Sequence, residues 1–353
     1  IAALSPMGGA QIIDAPAIVL EQAEVERLRA IVDKAIDPSL LNSAKIELFK
    51  QKELAAVKLG DMVTREKNLR EWMKVEDEGG WILRSYLANT ERRAEAYELG
   101  HDLIAKTNWP PSKARMSIYV AENYVEDGNL TRAANLLGNA ENTLRTSPKN
   151  ARDGVGTYLI GDTDVLYHSV RSKYLARSGK LADAITSAKL AVDKGLAQLK
   201  LENITHDRHR FMGRMNYLRA LYLLSHQQTA AGLYSDAESS LREAYQAIRT
   251  FGLSDTVSSG LFFTVADLYN ATGDFKEALT FARRGEKIIM ANGFLQGSVT
   301  WLSAQSRAQV ALVGMDQWED ALRGFTAIDR AVTESRLVTG WGKQPELRGM
   351  VYV

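Results

Sequence analysis

One phrase returns along this chain and limits what the chain can become. Gly232-Leu-Tyr-Ser-Asp-Ala237 is followed by a run reaching Ala244, and the phrase recurs at Gly273-Asp-Phe-Lys-Glu-Ala278, Gly179-Lys-Leu-Ala-Asp-Ala184 and Gly128-Asn-Leu-Thr-Arg-Ala133. A looser copy spans Gly314 to Ala321, with Trp318 in the bulky slot after a longer turn. Each copy reads as a glycine ending one helix and an alanine marking one stripe of the next. A unit repeated at this scale cannot bury its apolar face alone and is stabilised by stacking on its neighbours. Self-similarity therefore predicts an array rather than a single globular core.

The rest of the chain fits around that phrase. Residues 1–19 lack helical periodicity, carry Gly8, Gly9 and Pro16, and read as an N-terminal arm. Residues 20–110 read as an irregular helical cap or degenerate repeats, with helices near 20–37, 39–59, 63–75 and 81–106. The hairpin at Gly60-Asp61-Met62 has Arg65 in the alanine slot, Glu76 to Gly80 form a polar break, and the last helix carries an interruption near Asn89-Thr90. Trp109-Pro110-Pro111 stops the chain, because proline restricts the residue before it as well as itself. Residues 111–335 read as the repeat array, in pairs 112–126 with 130–146, 163–178 with 181–198, 209–230 with 234–250, 256–272 with 275–291, and 297–312 with 318–333. The marker alanines Ala133, Ala184, Ala237, Ala278 and Ala321 stand 51, 53, 41 and 43 residues apart. The excess falls in a loop at 148–161 and in a loop or helix extension at 195–208; loops this long lean functional. Gly340, Gly342 and Pro345 mark 336–353 as a linker or the start of a truncated further element.

Composition removes several classes of function. Lys and Arg number 44 against 43 acidic residues, interspersed, for a net charge of +1. That is not the basic footprint a nucleic-acid surface requires. No apolar run approaches the roughly 20 residues of a membrane span. The absence of cysteine excludes disulfides, thiolate catalysis and cysteine-ligated zinc within the chain. Ile1 is not a native start, and Ala2 to Pro6 is compatible with the start of a mature exported protein, so the compartment stays open with a lean towards export.

The small residues keep register. Counting back from each turn glycine gives Ala121, Ser172, Ser225 and Ala266 on the first helices. The second helices have Ala133, Ala184, Ala237 and Ala278, and seven residues on Ala140, Ala191, Ala244 and Gly285. Tyr124 and Tyr269 fill an aromatic slot four before the glycine. Helices approach closely only where side chains are small, so small residues recur at each crossing. In these columns the chain resembles the tetratricopeptide repeat superfamily, despite periods longer than its nominal 34 residues. The resemblance implies an all-α fold, an α-solenoid of antiparallel helix pairs wound into a right-handed superhelix. More narrowly, the chain resembles the arrays of bacterial proteins that carry a caspase-like (CHAT) peptidase domain downstream. Carried over repeat by repeat, the resemblance implies a partner-binding groove at Arg115, Glu122, Ser169, Lys173, Arg219, Tyr222, His226, Phe263, Asp267 and Asn270. The paired lysine and asparagine positions of the carboxylate-clamp subgroup are not reproduced, so a chaperone tail is not the expected ligand.

Local chemistry is thin. His206 and His209 offer two imidazoles at helical spacing, fewer than the three or four ligands of a zinc site; Thr205 reads equally well as an N-cap. Gly154-Val155-Gly156 with Gly161 matches neither a dinucleotide fingerprint nor a Walker loop. Trp301 and Trp318 read as core rather than ligand platforms. No catalytic set, metal or cofactor is expected. The expectation is a non-catalytic scaffold that binds a protein or peptide and regulates or docks a downstream domain. The alternatives are a periplasmic sensor for a small ligand or peptide, and a hydrolase with its site in the N-terminal region or the 148–161 loop.

Overall fold

The computed structural model describes residues 22–59, 62–88, 92–146, 154–201, 207–253, 255–291 and 299–335. The expectations for the arm 1–19, the turn at Gly60-Asp61, the interruption near Asn89-Thr90, residues 148–153 of the expected loop, Thr205, His206 and 336–353 lie outside them. Every regular element among the described residues is an α-helix, and the chain divides into two compact units, one over 18–106 and one over 107–330.

The first unit contains α1 (Gln22–Asp33), α2 (Asn42–Leu59), α3 (Met62–Trp72), α4 (Asp77–Ala88) and α5 (Arg93–Lys106), each packed on the next. Leu28 and Val32 of α1 close on Ala55 and Ala56 of α2. A second cluster gathers Phe49, Leu69, Trp72, Leu83, Leu87 and Ala96. Arg65, in the slot where the later repeats have alanine, pairs with Glu53 at 2.8 Å instead of forming a close crossing. The polar break expected at 76–80 is the opening turn of α4: Gly79 and Gly80 are buried, and a Cβ on Gly79 would lie 2.6 Å from the Trp72 ring. These glycines serve close approach rather than a turn.

The second unit is a succession of helix pairs: α6 (Pro110–Glu126) with α7 (Leu130–Thr146), α8 (Gly154–Arg177) with α9 (Leu181–Leu199), α10 (Asp207–Ala230) with α11 (Tyr234–Thr250), α12 (Asp255–Thr272) with α13 (Phe275–Ala291), and α14 (Val299–Gly314) with α15 (Trp318–Ser335). Pro110 occupies the first turn of α6, where its missing N–H costs nothing. The turns within pairs share one geometry. Gly128, Gly179, Gly232 and Gly273 have φ between 74° and 81°, and the following amide donates back to the residue five before it, as in Asn129 N to Tyr124 O at 2.8 Å. This left-handed C-cap favours glycine because it has no Cβ.

The fifth turn differs from expectation. Gly314 is the last residue of α14; the left-handed position is Asp316, φ 60°, and Gln317 N donates to Leu312 O at 2.9 Å as in the other turns. The turn is therefore not longer, and Trp318 is in register with Phe275. Gly314 instead permits a close contact, since a Cβ there would lie 2.5 Å from the Phe275 ring.

The small-residue columns are the contacts between helices. Ala121, Ser172, Ser225 and Ala266 are completely buried, as are Ala133, Ala184, Ala237 and Ala278. In the last pair the first-helix crossing position is Gln309, also buried, and Gly324 opposite makes room, since a Cβ there would fall on the Gln309 amide. Among the described residues, part of the long period is helix. α8 begins at Gly154, so 154–161 is helical; Gly161 faces the Gln198 side chain, and Asp162 and Thr163 are buried. α9 likewise runs on to Leu199. Trp301 is core, but Trp318 is 60% exposed, because no described element covers α15 as α14 covers Phe275.

Candidate partner-binding face

The packing order singles out one side of the second unit. The first helices α6, α8, α10 and α12 each pack on their own second helix and on the next first helix: α6 on α8, α8 on α10, α10 on α12, α12 on α14. Among the described residues, successive second helices show no such packing on one another. A row in direct contact on one side and spread on the other bends towards the contacting side. The first helices therefore line the inside of the bend, where repeat arrays present their binding surfaces.

The groove positions fall into rows across these helices. Glu122, Lys173, His226 and Asp267 each stand eleven residues before the crossing alanine of their pair. Lys173 Nζ donates to Glu122 Oε1 at 2.6 Å, with 42% of the lysine side chain exposed. Burial works against this ammonium, but Glu122, by charge and hydrogen bond, outweighs it and holds the amine above its ordinary range. At the far end of the row Asp267 accepts from Arg307 at 2.7 Å. The same guanidinium donates to the carbonyls of Phe263 and Ser303 and lies over the Phe263 ring, 5.3 Å from its centroid. Asn270 Nδ2 donates to Arg307 O at 3.2 Å, leaving its own side-chain oxygen without a partner.

At the other end, Arg115 of α6 pairs with Asp162 of α8 at 2.7 Å, and the same carboxylate accepts from Asn216 of α10. One buried acid thus ties three successive first helices. Ser169 spends its hydroxyl on Val165 O at 2.8 Å. Among the described residues, no comparable tie joins Arg219, Tyr222 or His226 of α10 to Phe263, Asp267 or Asn270 of α12. There the contact is packing: a Cβ on Gly260 would lie 3.0 Å from the Tyr222 ring. The Tyr222 hydroxyl is shut off from solvent without a hydrogen-bond partner, and burial alone pushes its phenol above the ordinary range.

The ten positions thus share the inner helices but not one environment. Arg219 and His226 are exposed, most of the others are half-buried, and Phe263 keeps only 7% of its surface. Phe263 is core, packed on Gly285, because a ring at this register sits between the two helices of its pair. Sequence reasoning missed Asp162, Asn216 and Arg307, the partners that neutralise or anchor the groove residues. Among the described residues no group of His, Asp and Glu could hold a metal ion, and no helix is long and apolar enough to cross a membrane.

Comparison with protein-family models finds no match, and comparison with curated proteins finds none either. Solved structures do match. A Rap protein complexed with competence and sporulation factor superposes with a TM-score of 0.52 at 13% identity, over 93% of this chain and 98% of that one. A signal transduction ATPase with numerous domains (STAND), with a tetratricopeptide repeat sensor, from Pyrococcus horikoshii gives 0.51 at 13% identity over 95% of this chain. This chain spans half the length of that protein. At such identity the likeness concerns architecture, and the architecture is clear: the chain folds as an α-solenoid of the tetratricopeptide-repeat type.

Proposed function

We propose that this chain is a non-catalytic scaffold that binds a protein or peptide segment along its inner helices and so docks or regulates a further domain, such as a downstream caspase-like peptidase. The observation that carries the reading is the continuous inner row α6, α8, α10, α12 and α14, whose middle member presents the exposed Arg219 and His226 on either side of the half-buried Tyr222. The fold likeness supports it: the Rap protein was solved in complex with competence and sporulation factor, and the STAND protein carries a tetratricopeptide repeat sensor. A segment bound here gains specificity from fixed polar groups on a preformed surface, with little ordering cost on the protein side.

The test is to select peptides on the full chain from a random library and map a binder by hydrogen exchange. Protection is expected on the inner turns of α8, α10 and α12. Tyr222→Ala should weaken the binder by about 30-fold, the effect of losing a hot spot of about 2 kcal/mol. Its melting curve serves as the folding control. Protection confined to α7, α9, α11 and α13 would place binding on the outer side and refute the reading.

A further inference from the structure

We propose that one stripe of α15, made of Trp318, Leu322, Phe325 and Asp329, receives an amphipathic helix of a partner domain patterned like α14, with a glycine or alanine set over the Trp318 ring. The stripe belongs to a second helix rather than to the inner row, and the inference does not depend on the groove reading.

The register carries it. α13 has Phe275, Leu279, Ala282 and Glu286 at i, i+4, i+7 and i+11, along one side of the helix. Both ends of that stripe are held by α14. Phe275 lies against Gly314, where a Cβ would come 2.5 Å from the ring, and Glu286 accepts from Trp301 Nε1 at 3.1 Å and from Gln305. Between them, Ala282 shares a core with Ala308 and Ala311 of α14. Moved on by 43 residues, the distance from Ala278 to Ala321, the stripe becomes Trp318, Leu322, Phe325 and Asp329. Ring, leucine and acid recur in place, so α15 repeats the surface on which α13 seats a helix. Phe275 and Leu279 are half-buried, whereas Trp318 is 60% and Leu322 65% exposed.

The side of α15 turned to α14 is already filled: Ala321 and Ile328 are buried, and Gly324 makes room for Gln309. The stripe is therefore a second apolar side, about 16 Å from end to end at 1.5 Å per residue. A repeat whose outer face meets water is polar there, and a tryptophan beside a leucine marks an interaction surface instead. Size selects the occupant. A ring at this slot needs a small residue across from it, as Gly314 is across from Phe275. The stripe itself has none, so a second α15 laid on it would set ring against ring. A helix of the α14 type brings the small residue at one end and alanines in the middle, where Phe325 takes the place of Ala282.

The probe is a lactam-stapled peptide with the sequence of residues 299–314, labelled with fluorescein and titrated into the full chain by anisotropy. It should bind and protect the amides of 318–330 from exchange. Trp318→Ala and Leu322→Glu in the protein, both at exposed positions and checked by melting, should each weaken it by about 10-fold or more, and so should Gly314→Leu in the peptide. No binding, or binding indifferent to Leu322→Glu, would overturn the proposal. So would a dimer of the chain alone in sedimentation that Leu322→Glu dissociates, since the occupant would then be a second copy. None of these results bears on peptides that protect the inner helices, so the groove reading is tested separately.

Discussion

Consider replacing a helical glycine by alanine at two places, Gly285 in α13 and Gly138 in α7. Both lie inside helices, where alanine should gain about 0.8–1 kcal/mol over glycine from backbone entropy and propensity alone. Their surroundings differ. A Cβ at Gly138 meets nothing within 4 Å, whereas one at Gly285 would sit 2.4 Å from Phe263 Cε1 and 2.8 Å from Cδ1. The ring cannot easily withdraw, because the Arg307 guanidinium lies over it and is itself held by Asp267, Ser303 and the Phe263 carbonyl. Forcing a methyl into such a site costs about 1–3 kcal/mol. Gly138→Ala should therefore be more stable than the parent, and Gly285→Ala should fall below Gly138→Ala by about that cost, since the propensity gain cancels. For a unit of this size, about 2–4 °C per kcal/mol translates the gap into roughly 2–12 °C in melting temperature. Thermal melts followed by circular dichroism give the ranking. Because repeat arrays unfold in pieces, exchange of the α12 and α13 amides should show the loss locally. Equal stabilisation by the two substitutions would show that Gly285 is not a close-contact glycine and that this crossing is misplaced.

Ala237→Leu and Ala278→Leu should each cost about 1–3 kcal/mol by overpacking a closed crossing, while Leu at exposed Ala182 should stay within about 0.5 kcal/mol; melts indistinguishable from the parent would refute the register. Asp162→Ala should destabilise by about 3 kcal/mol in chemical denaturation, the low end for breaking a buried pair, because Arg115 keeps one-fifth of its side chain exposed. In the first unit the Glu95 carboxyl is held low by its hydrogen bond from Arg70, and Glu66 by Arg92 and Arg70 against the opposing effect of burial. A depressed carboxyl stabilises above its unfolded value of about 4.3, and that contribution is lost as pH falls through the lower folded value. Melting of the parent should therefore drop more steeply below about pH 4 than that of Glu66→Gln/Glu95→Gln; parallel curves would show that these pairs contribute nothing.

The crossing columns were legible because closeness between helices leaves a local mark, a small side chain at a fixed distance from a turn. The same rule reaches the fifth turn if one counts from Ala321 instead of searching for glycine, since Asp316 stands where the other repeats have their turn glycine. Gly154, Gly156 and Gly161 misled in the opposite direction. Three glycines read as a loop, yet they lie in a helix, where Gly161 accommodates the Gln198 side chain. The inner-face pairs divide by the same logic. Glu122 and Lys173 are 51 residues apart, the spacing of their alanines, so they share a row and their pairing was readable. Asp267 and Arg307 belong to different rows, and Asp162 reaches Asn216 across 54 residues of variable period. Only the folded chain places such partners side by side.

The uneven distribution of inner-face ties has a mechanical consequence. Between α6, α8 and α10 the row is braced by Asp162 and by Lys173 with Glu122, and between α12 and α14 by Arg307. Between α10 and α12 the inner residues meet as a tyrosine ring laid on a glycine. Hydrogen bonds and ion pairs hold their partners at set angles, whereas apolar packing resists separation without fixing a direction. Among the described residues the inner row thus changes, between α10 and α12, from directional ties to the shared apolar core alone, beside the exposed Arg219.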